Sequence, residues 1–144
     1  LWGRASGKWY RMREYYFDSR KEGRQRTDEE HYFELERLAG DLPIRAVIVD
    51  PSAASFIETI RRHGRFYVEK ASNSVLDGIR DVATRLQSGD IFFCECCTDC
   101  IREFGLYRWD EKAPMDRPIK ENDHAMDDVR YFVHKIFAPE IFSF

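Results

Sequence analysis

The stretch Ile44-Arg45-Ala46-Val47-Ile48-Val49-Asp50-Pro51-Ser52 decides the fold. Its first six residues form a β-branched run, which is typical of a strand buried on both faces of a sheet. Asp50 follows at the carboxyl end of that strand, where open α/β sheets place their active sites. The alternative for Asp50 is a turn aspartate in front of a proline, with no role in chemistry.

Helices and further strands are predicted on both sides of this run. Thr27 and Glu30 have the spacing of a capping box and predict a helix that ends at Ala39, and Ser74 and Asp77 predict a second helix start of the same kind. The remaining predicted helices span residues 53–63, 98–107 and a last segment from about 123, and the remaining strands span 7–17, 66–68 and 91–93. We find no internal repeat or linker and treat residues 1–144 as one domain.

Three carboxylates and an imidazole fall within residues 123–128, at the start of the last predicted helix. Asp123, His124 and Asp127 share one face of that helix, where like charges four residues apart destabilise it by a few tenths of a kcal/mol. A divalent cation would convert this repulsion into binding energy, because Mg²⁺ and Mn²⁺ prefer carboxylate oxygens. The alternative is that Asn122 or Asp123 caps the helix and that the acidic residues answer its dipole.

The apolar face of the last helix is assigned to Met126, Val129, Val133 and Ile136, which leaves Asp123 and Asp127 on a neighbouring face. Pro139 is expected to end the helix, and Ile141-Phe142-Ser143-Phe144 forms a short apolar tail.

Composition indicates a protein with one core and no membrane segment. The chain has 144 residues, 15% of them aromatic, and no apolar run near the ~20 residues of a membrane span. A cytosolic setting is therefore expected. The net charge of −3 has the wrong sign for a protein that coats DNA. A metal-dependent phosphate site is still compatible with this charge, because bound divalent ions reverse the field where the phosphate lies.

Four cations within residues 20–26 make this loop the best sequence candidate for phosphate contacts, and they are Arg20, Lys21, Arg24 and Arg26. The alternative is a solvated loop with ordinary surface charge. The aromatic residues Trp9, Tyr10, Tyr15 and Tyr16 are expected to pack in the core and across strands rather than to stack on bases.

Four thiols within seven residues invite comparison with a zinc site: Cys94, Cys96, Cys97 and Cys100. Their C-x-C-C-x-x-C spacing departs from the separated C-x-x-C pairs of structural zinc modules. Buried thiols without disulfides suit a reducing cytosol, so no zinc is expected.

Several of these blocks, taken in order, resemble the C-terminal nuclease domain of phage terminase large subunits. The two most specific are Val47–Ser55, with Asp50-Pro51-Ser52, and Lys120–Asp127, with Asp123-His124-Ala125-Met126-Asp127. The resemblance is also carried by Lys8-Trp9-Tyr10, Glu14-Tyr15-Tyr16, Thr27-Asp28-Glu29-Glu30, Asn73, Val75–Ile79, Glu103-Phe104, Tyr107, Trp109-Asp110 and Arg130-Tyr131.

The resemblance implies a ribonuclease-H-like α/β domain in which helices flank a mixed central sheet. It implies an endonuclease that cuts concatemeric double-stranded viral DNA with two Mg²⁺ or Mn²⁺ ions. Asp50 and Asp127 match two of the family's acidic positions, His124 would lie beside the metals, and Asp123 either ligates or caps. An upstream ATPase domain, the portal, the small terminase subunit and the cytoplasm of a bacterial host are implied in the same way.

The family's remaining carboxylate lies on a first strand that this sequence does not contain, since it opens at Leu1-Trp2-Gly3. We therefore expect a fragment of a longer protein, with weak nuclease activity or none. Two alternatives remain open. One is a resolvase- or transposase-type nuclease on the same fold. The other is a non-catalytic domain that guides DNA or docks within the packaging motor.

Overall fold

The structure, a computed structural model, describes residues 1–138, and the predicted helix end at Pro139 and the tail 141–144 lie outside this range. Within it the elements follow in the order β1 (Trp2–Ala5), β2 (Lys8–Arg11), α1 (Ser19–Glu22), α2 (Asp28–Ala39), β3 (Val47–Val49), α3 (Ala54–His63), β4 (Val68–Lys70), α4 (Val75–Gln87), β5 (Ile91–Phe93), α5 (Thr98–Leu106) and α6 (His124–Phe137). None of these helices is long and apolar enough to cross a membrane.

The first sheet is three-stranded and mixed, in the order β1-β2-β5. β1 and β2 form an antiparallel hairpin whose turn residues, Ser6 and Gly7, have φ angles of 51° and 76°. Such a turn matches the twist of the paired strands. β5 joins β2 in parallel, with Trp9 opposite Ile91.

The second sheet contains only β3 and β4, which run parallel with Val47 opposite Val68. A cavity of about 690 Å³ is lined by residues 1–4 of the first sheet and residues 45–48 of the second. The prediction of one central sheet therefore differs from the structure, in which residues 1–138 form two sheets. Neighbouring strands must lie about 4.8 Å apart to share hydrogen bonds. β1 and β3 do not pair, because the cavity lies between them.

Three predicted strands are shorter than expected or displaced, because strand extent depends on the partner as well as on sequence. The run 44–49 pairs only from Val47, and the strand predicted at 66–68 pairs at Val68–Lys70. The strand predicted over 7–17 ends at Arg11. Beyond it the chain turns towards α5, where the Glu14 carboxylate accepts hydrogen bonds from the backbone N–H groups of Asp99 and Cys100.

The buried apolar residues form two clusters. One surrounds β3, α2 and α3 and includes Tyr32, Ile57 and Ile60, so α3 turns its isoleucines towards the core. The other lies between the first sheet, α5 and α6. Met126, Val129 and Val133 of α6 belong to it as predicted, and Ile136 packs at its edge.

The helix starts predicted at Thr27 and Ser74 are both confirmed, but only the first has a capping box. The Thr27–Glu30 capping box of α2 is confirmed, with both reciprocal hydrogen bonds present. The capping box predicted at Ser74 is wrong, because the Ser74 hydroxyl donates to the Asp77 carboxylate rather than either side chain bonding to the backbone. The apolar residues of α4 are only partly buried, and Leu86 remains 41% exposed. The one buried residue of α4 is Gly78.

Candidate active site

Asp50 lies where the sequence placed it, directly after β3. The backbone N–H of Ser52 donates to Oδ1 of Asp50 over 2.9 Å, which closes a tight turn before α3. The Tyr131 hydroxyl donates to Oδ2 over 3.1 Å. The bond from Ser52 chiefly lowers the pKa of Asp50, with help from Tyr131 and the charge of Arg130. Both oxygens of an ionised carboxylate are therefore engaged.

Asp127 lies in the first turn of α6, one turn before Tyr131, and α6 contacts β3. Nη2 of Arg130 donates to Oδ1 of Asp127 over 2.7 Å, and Nη1 of the same guanidinium reaches the carbonyl oxygen of Ser74. Arg130 is only 3% exposed. Asp127 is thus held in an ion pair with Arg130 at the edge of the core.

The charges of Asp50 and Asp127 both act on the Tyr131 hydroxyl. Burial first, then the bond to Asp50 and the charges of Asp127 and Asp50, raise its pKa to about 12. The charge of Asp127 acts on Tyr107 as well. Its pKa rises to about 12 through burial and then through the charges of Asp127 and Asp123, against the charge of Arg130.

The environments of Asp123 and His124 differ from those of Asp50 and Asp127. Asp123 is 8% exposed and its side chain makes no capping hydrogen bond to α6. The carboxamide of Asn122 accepts a bond from Arg102 instead of capping. Neither side chain caps α6, although Asp123 is its N-cap residue and Asp127 lies in its first turn. His124 is exposed at the first position of α6, with its ring 6.4 Å from that of Tyr16.

Glu103 performs the capping that the sequence assigned to Asn122 or Asp123. Its carboxylate accepts hydrogen bonds from the N–H groups of Ala125 and Met126. Sequence patterns did not predict capping by Glu103, because a cap supplied by another helix leaves no local spacing signal. Arg130, Tyr131 and Tyr107 belong to the blocks that carry the resemblance, but no site role was predicted for them.

The structure brings Asp50 and Asp127 to one locality around Tyr131, but it does not assemble all four predicted ligands. Among residues 1–138, no three His, Cys, Asp or Glu side chains are arranged to hold a metal ion. Two carboxylates still fit Mg²⁺ or Mn²⁺, because Mg²⁺ is often held by one or two carboxylates, with waters and substrate phosphates completing its shell.

The predicted phosphate-binding loop divides into two pairs. Arg24 forms an ion pair with Glu30, and Arg26 pairs with Glu34 while its guanidinium lies over the ring of Phe17. Arg20 and Lys21 belong to α1, are exposed, and form no ion pair with another side chain of the described chain. These two cations remain available to a phosphate.

The aromatic and cysteine side chains take largely structural positions. Trp9 and Tyr16 pack against the core cluster between the first sheet, α5 and α6. The backbone carbonyl groups of Met12 and Arg11 accept hydrogen bonds from the thiols of Cys96 and Cys97. Burial raises the pKa of Cys97 to about 11 and that of Cys100 to about 12, so both stay protonated at neutral pH.

Comparison with known proteins places these features in a family context. No family model matches the chain. The curated large terminase subunit of Escherichia phage T5 is 25% identical over 128 residues, which cover 85% of this chain and 29% of that protein.

Solved structures give a stronger likeness. The large terminase of a thermophilic bacteriophage is 48% identical, with a TM-score of 0.89 over 94% of this chain and 35% of that one. Its complex with ADP matches with 47% identity and a TM-score of 0.92 over 96% of this chain and 36% of that one. The chain spans about a third of the length of these relatives. It is therefore a relative of phage large terminases that corresponds to about one third of such a protein.

Proposed function

We propose that this chain is the nuclease portion of a DNA-packaging terminase and that it hydrolyses phosphodiester bonds of double-stranded viral DNA. The observation that carries the proposal is the meeting of Asp50 and Asp127 around Tyr131 in a chain related to large terminases. A strand-end aspartate and a helix-borne aspartate grouped around one tyrosine are suited to a divalent cation and a phosphate.

The proposed fold is ribonuclease-H-like. Its support is the order of the strands, since one further strand between β1 and β3 would fill the cavity and join both sheets into one mixed sheet. Helices α3, α4 and α6 would then flank a sheet with Asp50 at a central position.

In the proposed site, Asp50 and Asp127 would hold Mg²⁺ or Mn²⁺. Such ions, when bound, generate a hydroxide nucleophile and stabilise the leaving oxygen. Ser52 keeps Asp50 ionised and fixes its orientation. Arg130 neutralises the charge of Asp127 in the absence of metal, and a divalent ion would compete with it for that carboxylate. His124 is exposed at the start of the same helix, one turn before Asp127, and would reach water or phosphate rather than the core.

Nucleotide hydrolysis is a second activity to weigh, because one of the related terminase structures contains ADP. The sequence Gly3-Arg4-Ala5-Ser6-Gly7-Lys8 has one residue too few for the phosphate-binding motif G-x-x-x-x-G-K-[ST]. It also forms a β-hairpin rather than the strand-to-helix loop that the motif requires. Nuclease chemistry therefore has the better support in this chain.

The proposal is tested by Mn²⁺ binding and by cleavage of supercoiled plasmid, with EDTA as the blank. Asp50→Asn and Asp127→Asn should each weaken Mn²⁺ binding about 10-fold or more and abolish any cleavage. Asp128→Asn is the matched control, because its carboxylate lies on the same helix but pairs with Arg11.

Substrate and chain length separate the alternatives. A resolvase-type enzyme would prefer four-way junctions to plain duplex, whereas a guiding domain would bind duplex without cutting it. If residues 1–144 cut weakly, a longer natural chain should cut well and lose that activity with Asp127→Asn. Absence of cleavage in both would contradict the nuclease proposal.

A further inference from the structure

Glu103 is a charged side chain with no exposed surface, and both of its carboxylate oxygens are engaged. It lies in α5 and is 0% exposed. Oε2 accepts hydrogen bonds from the N–H groups of Ala125 over 2.7 Å and Met126 over 3.2 Å. Oε1 accepts one from the Tyr16 hydroxyl over 2.6 Å. Glu103 therefore cannot turn to meet DNA or a metal without breaking three hydrogen bonds, two of which are buried.

Helix α6 depends on this carboxylate at its first turn. The first N–H groups of any helix lack partners within it, and the positive end of the dipole favours a negative charge there. Asp123 stands at the N-cap position but supplies no side-chain bond. Glu103 provides both the acceptor and the charge from a neighbouring helix.

The two bonded N–H groups directly precede Asp127, so their capture fixes how α6 is rotated at the site. Successive residues of an α-helix are about 100° apart. A helix that started one residue earlier or later would carry Asp127 away from Asp50 and would move Tyr131 from its bond to Asp50. The register of α6 and the geometry of the two aspartates are thus coupled.

Glu103 is itself held by a second link of the same kind. Glu14, which follows β2, accepts hydrogen bonds from the N–H groups of Asp99 and Cys100 at the start of α5. The Arg11 guanidinium lies 3.7 Å from Glu14 and is only 4% exposed as a residue. The first sheet thereby fixes the start of α5, and α5 fixes the start of α6.

We propose that Glu103 is a positioning residue that sets the register of α6 and so holds Asp127 beside Asp50. This inference rests on the proposed function, because it assigns the purpose of the capping to the two-aspartate site. Glu103 itself contacts neither substrate nor metal.

Two conservative variants separate the effect of side-chain length from the effect of charge at Glu103. Glu103→Asp keeps the charge but withdraws the carboxylate by one methylene, so that it no longer reaches Ala125 and Met126. Glu103→Gln keeps the reach, since its amide oxygen can accept both N–H groups while its amide nitrogen faces the Tyr16 hydroxyl. We expect Glu103→Asp to raise the Kd for Mn²⁺ about 10-fold and Glu103→Gln to stay within about 3-fold of the parent.

Hydrogen exchange of the Ala125 and Met126 amides, measured without metal, provides a readout independent of the site's chemistry. Both amides should exchange faster in Glu103→Asp and remain protected in Glu103→Gln. Thr27→Ala is the matched control, because it removes the capping box of α2 while leaving α6 untouched. It should lower stability without changing Mn²⁺ affinity.

The positioning role is overturned if folded Glu103→Asp binds Mn²⁺ and protects the two amides like the parent, or if Glu103→Gln loses as much affinity as Glu103→Asp. If Glu103→Asp does not fold, Tyr16→Phe decides, since it releases Oε1 and should raise the Kd about 3-fold; an unchanged Kd then overturns the role. If Asp127→Asn binds Mn²⁺ as tightly as the parent, the proposed function is refuted instead. The exchange of the Ala125 and Met126 amides would still test whether Glu103 fixes the start of α6.

Discussion

The Tyr131 hydroxyl of α6 donates a hydrogen bond to Oδ2 of Asp50, a residue 81 positions earlier at the end of β3. This bond ties the last described helix to the strand end that the sequence singled out. It also places a neutral donor, rather than a cation, on the carboxylate proposed to hold a metal. The bond therefore orients Asp50 without neutralising its charge.

Replacing Tyr131 by Phe should raise the pKa of Asp50 towards its ordinary value of 3.8, because one donor to the charged form is lost. The rise should be incomplete, since the larger effect of the Ser52 backbone N–H remains. Carbon-13 NMR titration of the Asp50 carboxyl group would measure it. Tyr10→Phe is the control, because Tyr10 stacks on Phe92 in the other sheet. An Asp50 pKa that stays unchanged in Tyr131→Phe would contradict a bond to the ionised carboxylate.

Stability should fall as the pH rises from about 10 to 12. Burial and neighbouring carboxylates raise the pKa of Tyr16, Tyr107 and Tyr131 from 10.0 to about 12 in the folded protein. Between these values the unfolded chain loses phenolic protons that the folded chain keeps, so unfolding is favoured. Below pH 10 both states keep them and the contribution is complete. Urea unfolding at pH 9 and pH 11 would measure the difference, which should shrink in Tyr131→Phe.

Gly78→Ala should destabilise the protein although Gly78 lies within a helix. A Cβ atom there would overlap Cγ of the buried Arg130 and stand 2.6 Å from its Cδ. Relieving that overlap costs about 1–3 kcal/mol, which exceeds the gain of about 1 kcal/mol in helix propensity. Because Arg130 binds Asp127, Mn²⁺ affinity should fall as well.

Gly105→Ala is the matched control for this substitution, because Gly105 also lies in a helix but a Cβ atom there meets nothing within 4 Å. It should stabilise the protein by about 0.5–1 kcal/mol. Thermal and urea unfolding of both variants would measure the contrast. Equal effects of the two substitutions would refute the close packing of α4 on α6.

Replacing Arg20 and Lys21 together by Ala should weaken duplex DNA binding and reduce the salt dependence of binding by about two phosphate contacts. Replacing Arg24 by Ala should have a smaller effect, because its guanidinium is already paired with Glu30. Fluorescence anisotropy with a short duplex across a salt series would measure both slopes. Identical slopes for the parent and the double variant would exclude α1 from the DNA interface.

The sequence by itself determined the elements whose signals are local. The capping box of Thr27 and Glu30 lies within one helical turn, so the start of α2 could be predicted without knowing any distant partner. Asp50 at the end of a β-branched run and the inward face of α6 could be predicted for the same reason.

Tertiary structure decided everything that depends on which elements meet. Within residues 1–138 two sheets form instead of one, because pairing requires edges at hydrogen-bond distance and a cavity separates β1 from β3. Helix α6 is capped by Glu103 from α5, and Tyr131 reaches Asp50, although these partners lie 22 and 81 positions apart. A periodic pattern records the face that a residue occupies, whereas hydrogen bonds between distant segments arise only when packing brings those faces together.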